Sequence, residues 1–215
     1  AGSRAATALT APLASNESHY PPLPAVVDIV QSGILRMNRY PDIAATELRN
    51  RIAEFLSVSA DEVAVGPGSV GVLQQIVTSV CDAGDEVVFA WRSFEAYPIL
   101  TSLAGATSVP VPLTAGEDHD LDAMLAAITD RTKVVLVCSP NNPTGVAIEH
   151  DALARFLAAV PAHVLVVIDE AYVEFVDMPG RLDAMALFRQ YGNVCVLRTF
   201  SKAYGLAGLR VGYAV

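Results

Sequence analysis

Short apolar runs rich in β-branched residues recur along this chain, at 63–65, 87–90, 134–138, 164–168 and 194–197. Around them lie segments whose apolar residues repeat with the period of a helix, at 43–56, 70–80, 121–128 and 152–160. Runs that are apolar on both faces suit strands buried between two helix layers. Strands alternating with helices give an α/β fold on a mostly parallel sheet. That fold also says where chemistry is to be sought, because ligands of open parallel sheets bind beyond the carboxyl ends of the strands.

Composition narrows the function classes. With 53% hydrophobic and 17% charged residues over 215 positions, the chain can bury a core as one large domain or a domain plus a fragment, and disorder is excluded. A net charge of −9 with no Lys/Arg cluster argues against nucleic acid or an anionic membrane as the main partner. The longest apolar strings, 134–138 and 164–168, fall far short of the roughly 18 residues of a spanning helix, so a soluble protein is expected. Cys81, Cys138 and Cys195 lack CxxC spacing, which points to a reducing, cytoplasmic setting. His19, His119, His150 and His163 show no metal-ligand spacing, so no metal is assigned. The N-terminus, rich in small residues, reads as a flexible lead-in and not a signal peptide, and the missing initiator Met suggests a trimmed chain. The Pro-rich stretch 20–24 is the one linker candidate.

The strand ends carry the polar residues. The first runs into Gly66-Pro67-Gly68-Ser69-Val70-Gly71, where free N–H groups of Gly68, Ser69 and Val70 at a helix start would form an anion site. An ordinary strand-to-helix turn capped by Ser69 would read the same. The second ends in Trp91-Arg92-Ser93-Phe94, the third in Ser139-Pro140-Asn141-Asn142-Pro143-Thr144-Gly145. Asp169 closes a strongly apolar run, and a buried carboxylate needs a cation or donor. A protonated pyridine nitrogen is one such partner; a capping or structural role is the other reading. Tyr172 and Asn142 each suit either a hydrogen bond to a ring oxygen or a purely structural place. Lys202 follows the last strand among small and apolar residues, where a lowered pKa and Schiff-base chemistry compete with an ordinary surface lysine. Thr199 and Ser201 add hydroxyls, and Arg210 adds a guanidinium suited to phosphate.

Taken in order, these segments resemble the fold-type I pyridoxal-phosphate (PLP) aminotransferases, and within them the histidinol-phosphate/aromatic aminotransferase subfamily. The resemblance covers 13–215 and rests on Ala14-Ser15-Asn16-Glu17, Asn38-Arg39-Tyr40-Pro41-Asp42, Asn142-Pro143-Thr144-Gly145, Asp169-Glu170-Ala171-Tyr172 and Ser201-Lys202-Ala203-Tyr204-Gly205-Leu206-Ala207-Gly208-Leu209-Arg210. Trp91-Arg92-Ser93-Phe94-Glu95-Ala96-Tyr97-Pro98 looks like the actinobacterial aromatic amino acid aminotransferases. The histidinol-phosphate branch usually has a Pro-Thr-aromatic tripeptide there.

The resemblance implies a three-layer α/β/α PLP-binding large domain over 36–215, with 1–35 an arm associated with a small domain. It implies that Lys202 carries PLP and shuttles the substrate α-proton, that Asp169 pairs with the pyridine nitrogen, and that Asn142 and Tyr172 bond the phenolic oxygen. Gly68, Ser69, Val70, Thr199, Ser201 and Arg210 would hold the phosphate, and Phe94 would stack on the ring in preference to Trp91. Tyr40 would reach the phosphate of a neighbouring subunit in a homodimer, while Asn16 and Tyr20 would lie over the substrate. The family continues beyond the position of Val215 into a C-terminal small domain whose arginine clamps the substrate α-carboxylate, so the chain is expected to stop inside the large domain, at an antiparallel strand over 211–215.

The implied reaction exchanges the amino group of an aromatic L-amino acid with 2-oxoglutarate, giving the aromatic 2-oxo acid and L-glutamate. The nearest alternative substrate is histidinol phosphate, and a PLP lyase or decarboxylase of the same fold is more remote. An NADP-binding Rossmann domain, built on Gly66 to Gly71 and Arg92, would leave Asp169 and Lys202 unexplained. A non-enzymatic binding module fits least.

Overall fold

The computed structural model describes residues 14–215. Strands β1 (Ala64–Pro67), β2 (Glu86–Trp91), β3 (Thr107–Pro112), β4 (Thr132–Cys138), β5 (Leu165–Asp169), β6 (Val194–Thr199) and β7 (Val211–Ala214) form one sheet in the order β1-β7-β6-β5-β4-β2-β3. β7 runs antiparallel to both its neighbours and all other pairs are parallel. The remaining strands therefore share one direction and end along one edge.

Alternation along each strand divides the core between two faces. Val135 and Val137 of β4, with Val166 and Ile168 of β5, pack against α2 (Thr46–Leu56), α5 (Leu121–Ala126), α6 (His150–Ala159) and α7 (Ala184–Gln190). Val134, Leu136 and Cys138, with Val167, pack on the other face against α3 (Gly68–Val80) and α4 (Ala96–Leu103). Asp169 has the parity of Val167, so the pleat turns its carboxylate toward the α3/α4 side. These are the three layers expected, with the antiparallel strand at 211–214.

Differences have local causes. β1 is an edge strand with half-exposed and exposed residues, not one buried between layers, because only β7 flanks it. β3, at the other edge, escapes an apolar-run search because Pro110 and Pro112 interrupt it; an edge tolerates the missing N–H groups. The helical pattern at 43–56 becomes helix only from Thr46, after Asp42 accepts from the N–H groups of Ala44 and Thr46 at 3.0 and 2.8 Å. The Pro-rich stretch ends in a helix start, since Pro24 opens α1 (Pro24–Ile34), a helix that buries none of its residues. Ser69 is not a cap: Pro67 precedes the first residue of α3, and no side chain caps it.

Gly212 holds the N-terminal end of α3 against the sheet. It pairs with Gly66 on β1 and Thr199 on β6, and a Cβ there would collide with backbone atoms of Gly68 and Ser69. Gly212→Ala is expected to cost about 1–3 kcal/mol by overpacking, read as a lower urea midpoint. Gly192→Ala, which meets nothing within 4 Å, should stay within about 0.5 kcal/mol of the parent. Equal midpoints for both variants would show that the Gly68–Ser69 turn yields freely.

Candidate active site

A cavity of about 640 Å³ opens along the carboxyl ends of the strands. Ser69, Val70, Phe94, Asn142, Asp169, Tyr172, Thr199, Ser201, Lys202 and Arg210 all line it, together with Asn16. Residues far apart in the chain thus meet because their strands end side by side. Tyr20 and Tyr40 do not line it: they are 70% and 102% exposed on the surface of this chain. Trp91 does not line it either; its ring lies under the Arg92 guanidinium at 4.7 Å, which leaves Phe94 as the aromatic wall.

One end of the cavity is a cradle for an anion. The first-turn N–H groups of α3 have no intrahelical acceptors, so those of Ser69 and Val70 face outward with the helix dipole behind them. Gly68 is a correction: its N–H donates to the Arg210 carbonyl at 2.9 Å, beside a parallel bridge between Gly68 and Val211 just past the β1/β7 ladder. What Gly68 supplies instead is room. Its φ is +77°, and a Cβ there would strike the Arg210 guanidinium. Arg210 Nη1 donates to Ser201 Oγ at 3.3 Å and to the Ala207 carbonyl at 3.0 Å, and Thr199 Oγ1 donates to Ser201 Oγ at 2.9 Å. Hydroxyls and guanidinium are thus gathered before any anion arrives.

At the floor lies Asp169, 4% exposed. Its Oδ1 accepts from the Ala171 N–H at 3.2 Å and its Oδ2 from the Tyr97 hydroxyl at 3.0 Å. Burial pushes its carboxyl up to about 6, while the Tyr97 and Ala171 donors and the Lys202 charge oppose that rise. Above that pH the group is a carboxylate in a dry setting with room for a cationic partner.

Lys202 Nζ donates to the carbonyls of Ser15 and Asn16 at 3.0 and 3.3 Å and lies 5.5 Å from the centre of the Tyr172 ring. Partial burial lowers the pKa of its ammonium, and Arg210 adds to that, while Glu17 and Asp169 pull the other way. Asn16 Nδ2 donates to the Tyr172 hydroxyl at 3.1 Å, so the segment around Asn16 closes the cavity over Lys202.

Several supporting residues escaped the motif reading. Tyr97 is one, although its place three residues after Phe94 put both on one side of a helix start. Asn141 is another: buried beside Asn142, it donates to the Arg92 carbonyl at 3.1 Å and to Thr144 Oγ1 at 3.0 Å, and accepts from Ser93 Oγ at 2.7 Å. It ties the Phe94 loop to the Asn142 loop. On the opposite face, buried Glu170 accepts from Arg198 Nε at 2.8 Å, which locks β5 to β6 just below Asp169 and Lys202.

Comparison with known proteins gives this geometry a family. The model of aminotransferase class I and II matches residues 11–215. Proteins named aromatic amino acid aminotransferase from Streptomyces avermitilis and Rhodococcus erythropolis are 57% and 58% identical over 203 residues, covering 94% of this chain and 56% of each relative. A crystal structure of histidinol-phosphate aminotransferase from Sinorhizobium meliloti in complex with pyridoxal-5'-phosphate superimposes with TM-score 0.86 at 33% identity, over 94% of this chain and 54% of that one. Aspartate aminotransferase from Thermus thermophilus with maleate gives TM-score 0.84 at 26% identity, over 93% and 55%. The chain thus spans little more than half the length of these relatives. With the model matched from residue 11 to the last residue, and more than half of the positions shared with its relatives, the chain belongs to the class I and II aminotransferase family.

Proposed function

We propose that this chain is the cofactor-binding part of a PLP-dependent aminotransferase that exchanges the amino group of an aromatic L-amino acid with 2-oxoglutarate. The observation that carries the reading is the single cavity in which Lys202, Asp169, Phe94 and the Ser69–Arg210 cradle converge. Its lining fits PLP group by group: a cradle of N–H, hydroxyl and guanidinium donors for the phosphate, a buried carboxylate for the ring nitrogen, an aromatic wall, and an amine. PLP, when bound, supplies an electron sink for the carbanion at the substrate α-carbon.

The chain supplies the rest. Lys202 Nζ would hold the cofactor and, when its amine is free, would take and return the α-proton. Asp169, as a carboxylate, would keep the ring nitrogen protonated. Asn142 and Tyr172 would bond the phenolic oxygen, and Ser69, Val70, Thr199, Ser201 and Arg210 would hold the phosphate, with Gly68 giving the guanidinium its space. Phe94 would stack on the ring, and Asn16 would close over the substrate, with Tyr20 assigned to the same side. We assign Tyr40, fully exposed on its own chain, to the phosphate site of a neighbouring subunit in a homodimer. Residues 1–35 we assign to an arm that accompanies a small domain; 1–13 of it lie outside the described residues, and the reading is supported by α1 burying none of its residues. The cysteines are free, in keeping with a cytoplasmic enzyme.

The aromatic substrate rests on the names of the relatives at 57% and 58% identity. Histidinol phosphate is the second reading, favoured by the structural neighbour of that name. The test is the visible spectrum of the full-length enzyme with PLP, before and after phenylalanine. Conversion of the bound cofactor to its amine form, reversed by 2-oxoglutarate, is expected. Failure to bind PLP would end the cofactor assignment, and a bound cofactor that responds to histidinol phosphate alone would move the substrate.

A further inference from the structure

We propose that Tyr97 is a positioning residue that holds the Asp169 carboxylate and the Phe94 ring in register with each other, so that the ring-nitrogen partner and the ring wall form one unit. The inference rests on the cofactor reading above and gives a role to a residue to which the sequence motifs assigned none.

Tyr97 lies in the first turn of α4, on the sheet face that Asp169 also faces, and none of its surface is exposed. The hydroxyl is the ring's one polar atom, and a buried hydroxyl is costly without a partner. Its partner is Asp169 Oδ2 at 3.0 Å. The ring meets Phe94 edge-on, with centroids 5.7 Å apart and planes at 87°, and meets Phe89 of β2 at 5.9 Å and 60°. The backbone repeats the link, since Tyr97 N–H donates to the Phe94 carbonyl at 3.1 Å and Thr101 Oγ1 to the Tyr97 carbonyl at 2.8 Å. A phenylalanine would fill this space as well, so packing does not call for the hydroxyl. What it does is fix one carboxylate oxygen while the Ala171 N–H fixes the other.

The charge state depends on the same contact. The titratable groups facing Asp169 are Tyr97 from α4, Cys138 from β4, Tyr172 beyond β5 and Lys202 beyond β6. Burial raises the Asp169 carboxyl, and the Tyr97 hydroxyl is foremost among the groups that lower it again. Removing that donor moves the titration further upward, so that a larger share of Asp169 is neutral at pH 7 and less able to hold a cation.

The test is Tyr97→Phe, followed by carbon-13 NMR titration of aspartate-labelled, cofactor-free enzyme and by PLP affinity at pH 7. The Asp169 midpoint is expected to rise by about one to two pH units, the worth of a hydrogen bond to a charged group. PLP affinity at pH 7 should fall about tenfold. Tyr97→His, which returns a donor, should bring the midpoint part of the way back. A Tyr97→Phe enzyme that is less stable but keeps the parent midpoint and PLP affinity would overturn the proposal. The carboxyl titration needs no cofactor, so a parent that failed to bind PLP would remove the functional reading and leave this test standing.

Discussion

Replacing Lys202 with alanine is expected to slow the half-reaction with phenylalanine by about 10²–10⁴-fold from the loss of positioned proton transfer alone. Lys202 is half-buried, its amine turned into the cavity and bonded to two backbone carbonyls of the closing segment. Its ammonium is easier to deprotonate than that of an exposed lysine, because partial burial disfavours the charge and Arg210 repels it. A group whose folded pKa is depressed in this way offers a larger neutral fraction near pH 7, and the neutral amine is the form that attacks a carbonyl and accepts a proton. The phosphate cradle does not depend on the lysine, so the alanine enzyme should still bind PLP reversibly. Binding by dialysis and single-turnover rates with phenylalanine separate the two effects. An alanine enzyme that turned over within tenfold of the parent would return Lys202 to the ordinary surface lysine its sequence context also allowed.

The contrast between what the sequence discloses and what it hides follows from the sheet. Strands β2, β4, β5 and β6 are flanked on both sides, so their residues are apolar nearly throughout and read as runs. β3 has a neighbour on one side only and keeps two prolines, which breaks the run without breaking the edge. α4 is short and carries Pro98 in its first turns, which obscures its period. The groups at the strand ends were legible because Asp169, Asn142 and Lys202 are polar residues placed directly after apolar strands, where a bland surface would end in turn residues. Tyr97 and Asn141 were not, since a tyrosine in an apolar helix and an asparagine in a Pro/Gly loop each have an ordinary place. Their roles depend on contacts across 72 and 48 residues of chain, which only the parallel order of β2, β4 and β5 creates. Gly68 shows the opposite error. The motif Gly66-Pro67-Gly68-Ser69-Val70-Gly71 does precede a helix, but the fold spends the Gly68 N–H on Arg210 and uses the missing side chain instead.

Asp169→Asn, a change of one atom, should lower kcat by about 10²–10³-fold, the usual cost of removing one preorganised electrostatic contact. The amide loses the charge that would hold a proton on a ring nitrogen. It also cannot satisfy its neighbours. Both carboxylate oxygens accept from donors, Ala171 N–H and Tyr97 OH, whereas an asparagine has one acceptor oxygen and must turn its NH₂ toward the other donor. Asp169→Glu keeps the charge and tests placement: it should retain more activity than the asparagine if charge dominates, and less if the 3.0 Å contact with Tyr97 dominates. The pH dependence distinguishes a site carboxylate from a structural one. In the cofactor-free parent, burial holds the carboxyl protonated below about 6, so its capacity to capture a cationic ring is present above that pH and is lost as pH falls through it. The asparagine enzyme should therefore lack that acid limb in its PLP association, because nothing at position 169 titrates. An unchanged limb, or activity within tenfold of the parent, would mean that the carboxylate serves the fold and that the ring nitrogen is held by another group.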